Sequence, residues 1–338
     1  MKILSVALLL ITAIVFSSSA QTMGNFKVTK TFHITSSGGW DYISVGPGNN
    51  RVYVSHGTQV NILDATTGDS VGVIANTAGV HGIAFNKKAN KGYTSNGRGN
   101  SITVFDLTTN KTLSEIPDTT NPDWILYERF SDKIITCNGR SNDLSLVDAT
   151  TEKLVARIPV GGKPETAVSD HKGNLFVNVE DKNEIAVVDL TTNKVTAHYP
   201  LAGESPTGLA IDNETHRLFA GCEGKLVIID ALNGKLIDTI PIGDGCDGVV
   251  FDNKLKQVFT SNGAAATISV IQEVSANKFT KLADIPTKKG ARTLDIDHKS
   301  HTIYMPTADF LPLKAGEKRA QMVPGSFQIV VVSGDVKN

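Results

Sequence analysis

The sequence lacks the short signatures that announce a ready-made catalytic centre. It contains no C-x-x-C-H haem attachment and no H-E-x-x-H zinc pair. Spacing along the chain singles out no Ser/His/Asp triad. Aromatic residues are few, at 6%, and there are only three cysteines and two tryptophans. Charge of one sign is also missing. Lys and Arg number 33 against 34 Asp and Glu, a net charge of −1 with no basic run. That balance argues against nucleic acid or an anionic membrane as a partner recruited by charge. Long apolar runs are missing too, apart from one at the start.

That one run, "ILSVALLLITAIVF" (3–16), follows Lys2 and leads into "SSSA". It is too short for a membrane span, and Ser18 and Ala20 make an A-x-A-like cleavage site. The expectation is a signal peptide over 1–20 and a mature chain from Gln21 that is periplasmic or secreted. No cysteine stands at the cleavage point, which argues against a lipid anchor there. In an oxidising compartment Cys137, Cys222 and Cys246 allow one internal disulfide and one leftover thiol.

What is present is a period. "NGR" at 96–98 returns at 138–140, and a strand-like run ending in Asp recurs as "VNILD" (60–64), "ITVFD" (102–106), "LSLVD" (144–148), "IAVVD" (185–189) and "LVIID" (226–230). "ISVIQ" (268–272) and "FQIVV" (327–331) follow without the Asp. A turn such as "ATTGD" or "LTTNK" and a further strand come after each of the first five. A hairpin precedes each run, with apolar markers at Val45/Tyr53, Phe85/Tyr93, Tyr127/Ile135, Ile211/Phe219, Phe251/Phe259 and Ile296/Tyr304. Four short strands in about 40–45 residues make one propeller blade. Seven inner strands but six following outer strands leave one missing, and "FKVTKTFHIT" (26–35) supplies it. The expected fold is therefore an all-β, seven-bladed β-propeller of four-stranded blades over 21–338, its ring closed by the N-terminal strand. Two β-sandwiches side by side are the rival, disfavoured by a uniform period without a linker.

Propeller topology brings one residue per blade to the channel mouth, just before each inner strand: Asp41, His81, Asp123, Glu165, Thr207, Asp247 and Arg292. Carboxylates with an imidazole suit a polar ligand or a divalent metal. A solvated ring, or ion pairs between blades, is the alternative. Loops between second and third strands add His56, Arg98, Arg140, Glu180 and Cys222 to that face. His56 and His81, from adjacent blades, would share a metal with Asp41 and Asp123. Cys222 and Cys246, also from adjacent blades, are the disulfide candidates, with free thiols or a soft-metal site as alternatives. Cys137, on a second strand, reads as a buried small apolar residue. Trp40 and Trp124 flank the ring and read as packing residues. The loop 306–327 is far longer than its counterparts and carries Asp309, Phe310, Lys314, Lys318, Arg319 and Met322, either as a lid or as a floppy insertion.

The motifs "YVSH" (53–56), "YTSN" (93–96), "ITCN" (135–138) and "FTSN" (259–262), with weaker "FVNV", "FAGC" and "YMPT", resemble those of the YVTN-repeat, YncE-like propeller family across essentially all of the mature sequence. The resemblance implies an exported propeller with a Pro-rich loop in the place of 306–327. One relative in that family is associated with DNA, and lactonases and quinoprotein dehydrogenases have related propellers. Fold does not settle function. The expectation is an exported, monomeric, non-catalytic propeller that binds a small polar ligand or a protein partner at its channel mouth. One alternative is a lactonase-type hydrolase in which Asp41, Asp123, Glu165, Asp247 and the two histidines hold an ion that activates water. Another is a DNA-binding propeller using Arg98, Arg140, Arg292 and the cations of the long loop.

Overall fold

A computed structural model describes residues 25–36, 38–117, 119–313 and 320–335. The leader expected over 1–20 and the loop cations Lys314, Lys318 and Arg319 lie outside the described residues. The described chain folds into seven four-stranded antiparallel sheets. Blade one comprises Trp40–Val45, Arg51–His56, Gln59–Asp64 and Ser70–Ala75, and blades two to six repeat that order. In blade seven, Asp295–Asp297, Thr302–Thr307 and Gln328–Ser333 are completed by Lys27–His33, which pairs antiparallel with Gln328–Ser333. Among the described residues no helix is long and apolar enough to cross a membrane.

The recurrent Asp that ends the third strand in blades one to five has a local task. Asp64 Oδ1 accepts the backbone N–H groups of Thr66 and Thr67, and Asp106, Asp148 and Asp189 repeat the arrangement with their own Thr-Thr pairs. The side chain mimics a backbone turn and ties the third strand to the outer one. These bonds hold the four carboxyls below their usual range.

Second and third strands are buried on both faces, as at Ser101–Asp106, because each sheet lies between two others. The apolar core is accordingly seven clusters, one per blade-to-blade interface. Tyr53, Ile62, Ile83 and Phe105 fill the first, between blades one and two. Phe32, Ile43, Val52, Tyr304 and Phe327 fill the last and join blade seven back to blade one. The outer strands face water on one side and alternate, as in Lys194–Pro200.

A repeated irregularity positions the channel mouth. The inner strands of blades one to four pair with their second strands at Trp40↔His56, Val80↔Asn96, Pro122↔Asn138 and Pro164↔Val179, and the register then slips. Two inner residues oppose one on the partner strand at each slip. Asp41, His81, Asp123 and Glu165 all occupy that bulge, and a similar slip between Cys246 and Gly248 brackets Asp247. A β-bulge bends the strand and re-aims a side chain, here at the channel mouth.

Candidate functional site

The residues that face these bulges hold them in place. Ser55 Oγ accepts the Asp41 N–H, and Ser95 Oγ accepts the Gly82 N–H while donating to the Asp123 carbonyl of the next blade. Ser261 donates to the Arg292 carbonyl in the same way. At the equivalent place in blade four, Asn178 Nδ2 donates to the Thr207 and Gly208 carbonyls. In blades two, four and six the third position of the repeated Y-x-S-N-like motif is thus a clamp on the mouth of the neighbouring blade, while Ser55 holds the bulge of its own.

Five of the seven expected ring residues form one connected chain across adjacent blades. His81 Nδ1 lies 2.6 Å from Asp41 Oδ2 and 3.7 Å from Asp123 Oδ1. Arg292 Nη2 donates to Asp41 Oδ1 at 2.9 Å, and its Nη1 bonds Asp247. Glu165 stands outside that chain, in an ion pair with a lysine that spacing did not single out: Lys163 Nζ sits 2.5 Å from Glu165 Oε1 and also bonds Glu180. Thr207 differs. Its hydroxyl donates 2.7 Å to the Cys246 carbonyl, so it braces the start of blade six and makes no ion pair in the ring.

The charges do not balance locally. Burial, then the Asp41 carboxylate, push the Asp123 carboxyl up to about 6. Burial, then the Asp123 charge, push Glu165 up to about 8 although Lys163 is attached to it. Burial raises Asp247 as well, against the pull of Arg292. At His81 burial opposes the charged form, but the Asp41 hydrogen bond and the Asp123 charge outweigh it, and the net shift is upward.

Tyr42, beside Asp41 in the first bulge, was missed by the repeat alignment, which follows one residue per blade. Burial and then the surrounding charges of Asp123, Asp41, Asp247 and Glu165 raise its phenol well above the ordinary value. Its ring meets Trp124 edge-on at 4.9 Å, and the Trp124 indole N–H donates to the Ala167 carbonyl. These two aromatic rings line a channel cavity of about 390 Å³ beneath the carboxylates. A second cavity, of about 640 Å³, opens beside Arg292 and is walled by Ala264, Gly290, Phe310, Leu311, Pro312 and Leu313.

Two expectations are corrected by this geometry, and a third residue pair is placed by it. His56 is not a partner of His81 in a metal site. It is fully buried, its Nδ1 is 3.1 Å from Asn61 Oδ1 and its Nε2 3.0 Å from the Gly38 carbonyl, and its ring lies 4.1 Å from that of Phe327. Burial lowers its pKa, which fits a neutral packing residue. Cys222 and Cys246 form no disulfide and are both buried free thiols. Cys246 Sγ packs where a Cβ on Gly221 would sit, whereas Cys222, the next residue along the strand, points to the opposite face against Gly203. Arg98 and Arg140 are exposed on their hairpins, and among the described residues no hydrogen bond or ion pair ties either to the ring.

The long loop has an ordered base. Phe310 pairs with Met322, Leu311 N–H donates to the Gln321 carbonyl, and Val323 N–H donates to the Asp309 carbonyl. Lys288 lies 2.6 Å from Asp309, and the Phe310 ring rests 5.9 Å from Trp40, which stacks in turn on Phe327.

No family model and no curated protein sequence matches this chain. Solved structures do match. Hydrazine synthase of Kuenenia stuttgartiensis superposes with a TM-score of 0.74 at 15% identity, covering 90% of this chain and 98% of that one. The WD40 repeats of RRP9 superpose with a TM-score of 0.75 at 11% identity, over 91% of this chain and 97% of theirs. U3-55K does so with 0.74 at 11% identity, over 90% and 98%. At such identities the likeness establishes the seven-bladed propeller fold and nothing finer.

Proposed function

We propose that the chain is an exported, non-catalytic propeller that binds a small, positively charged polar ligand at its channel mouth. The observation that carries this reading is the charge excess of the ring. Asp41, Asp123, Glu165 and Asp247 converge around Tyr42, while Arg292 and Lys163 are the cations hydrogen-bonded among them. Carboxyls raised by burial and then by one another's charge are drawn toward their ionised form when a cation enters. Beneath them, Tyr42 and Trp124 line the cavity with aromatic rings, whose faces attract an ammonium group. The apolar wall at Phe310, Leu311 and Leu313 gives the ligand's hydrocarbon portion a surface to cover. Export rests on the leader-like sequence over 1–20.

Calorimetric titration with small amines (putrescine, choline, arginine) and with matched carboxylates tests the reading. Amines are expected to bind, and Asp123→Asn with Glu165→Gln to weaken them at least tenfold, about 1.4 kcal/mol. Preference for carboxylates, or amine binding indifferent to both substitutions, overturns it.

A further inference from the structure

We propose that Asp41, His81 and Asp123 form a site for one first-row divalent ion of the Zn²⁺ or Mn²⁺ type. The inference rests on the mouth being a cation site and names an inorganic occupant for one sector of it. One ligand atom from each residue lies within 4.8 Å of the other two. Ions of this class hold N and O ligands at about 2.0–2.2 Å, so their ligand atoms stand roughly 3–4 Å apart. Of the observed separations from His81 Nδ1, 3.7 Å to Asp123 Oδ1 lies within that range, and 2.6 Å to Asp41 Oδ2 is a direct hydrogen bond that an ion would have to open.

A second observation is independent of the proximity. Asp123 Oδ1 is sealed from solvent and accepts no hydrogen bond among the described residues. It stands on the His81 side of its carboxyl, 3.7 Å from Nδ1, where an ion would give it a partner. The Asp123 side chain is otherwise partly open to solvent, but this oxygen has His81 only at ion-pair distance and no hydrogen bond among the described residues, a condition a bound ion would relieve. The outer contacts suit the same assignment. Arg292 Nη2 occupies Asp41 Oδ1 and leaves Oδ2 toward His81. The backbone of Asp41 is held by Ser55 and Thr293, and that of Asp123 by Ser95. Ligands fixed by neighbours in this way are the usual companions of a metal centre.

Binding exchanges a proton for the ion. In the present arrangement Nδ1 and Asp41 Oδ2 share a proton at 2.6 Å. The ion takes its place, and the neutral imidazole carries its remaining proton on Nε2, which faces Gly97. One imidazole and two carboxylates favour Zn²⁺ or Mn²⁺ over Ca²⁺, which takes six to eight oxygens. Three protein ligands on one side leave the outer coordination positions to water.

The test uses the full mature chain, stripped with chelator, desalted, and titrated with ZnCl₂ and MnCl₂ by calorimetry, with ion content measured after dialysis. One ion per chain is expected, with affinity reduced at least tenfold in His81→Gln and in Asp123→Asn and retained in Glu214→Gln on the opposite face. Co²⁺ loading of the unsubstituted protein is expected to shift the His81 ring protons in the NMR spectrum, a readout that does not depend on any variant folding. Sub-stoichiometric binding, binding unaltered in both variants, or unshifted His81 protons overturns the proposal. Amine binding that persists in a protein without ion affinity removes this site alone. Ion binding without amine affinity removes the organic-ligand reading alone.

Discussion

At the scale of single residues, burial decides what a polar side chain is for. His56 and His81 look alike as symbols, yet one is packed against Phe327 with both nitrogens bonded and the other faces two carboxylates at the mouth. Glu273, on the third strand of blade six, shows the same rule away from the mouth. It is buried, Thr215 donates to its Oε1 at 2.8 Å, and its Oε2 has no partner among the described residues. Burial, and then the adjacent Asp212, push its carboxyl up to about 7, against the Thr215 bond that pulls the other way. A carboxyl raised on folding contributes stability that is complete below its unfolded value near 4.5 and is lost as pH rises through about 7. Glu273→Gln imitates the protonated form. Urea unfolding is therefore expected to show wild type losing on the order of 2 kcal/mol relative to Glu273→Gln between pH 5 and pH 8. Equal pH profiles for the two proteins would contradict it.

At the scale of the strand and its motif, the same hydrogen-bond network is built three times. Asn96, Asn138 and Asn262 each accept from a Thr two residues earlier and donate to side chains of the third strand, all fully buried. This accounts for the Asn in "YTSN", "ITCN" and "FTSN" as a strand-to-strand tie. Replacing one by Ala strands at least two buried hydroxyls and is expected to cost about 2 kcal/mol. Because the three stand in separate blades, pairs of substitutions should add. Midpoints of urea unfolding for the singles and doubles check both statements, and strong non-additivity would mean the blades share a network through these residues. The Asp and Asn markers were legible in the sequence because each acts within a few residues of itself. The bulge that turns Asp41, His81, Asp123 and Glu165 into the channel was not, since a two-against-one mismatch exists only once two strands are paired.

At the scale of the whole molecule, the ring is held by closure. Phe26 packs edge-on against Phe259 at 5.1 Å, and Phe32 belongs to the cluster that joins blades seven and one. Deleting residues 25–35 leaves Gln328–Ser333 as an unpaired apolar edge. Such an edge is a template for pairing with another chain. Light scattering after size-exclusion chromatography is expected to show loss of the monomer peak in favour of aggregates, and a monomer with unchanged melting temperature would show that the closing strand is dispensable. Closure also makes the mouth a property of the assembly. Every ion pair in the Asp123–His81–Asp41–Arg292–Asp247 chain crosses from one blade to the next.

The repeat, the blade count and the closing strand were determined by the sequence alone, because a period of hydrophobic strands and turn residues reports local pairing. Which residues touch at the mouth was decided only by the tertiary structure. Lys163 enters the ring by reaching two carboxylates, and Thr207 leaves it by turning to a backbone carbonyl. Cys222 and Cys246 share a face of the molecule but not a side of the strand. Tyr42 stands among four carboxylates that lie up to 206 residues apart in the chain, from Asp41 to Asp247. Distances between side chains on different blades depend on how bulges aim them and how blades pack, and no run of neighbouring residues encodes either.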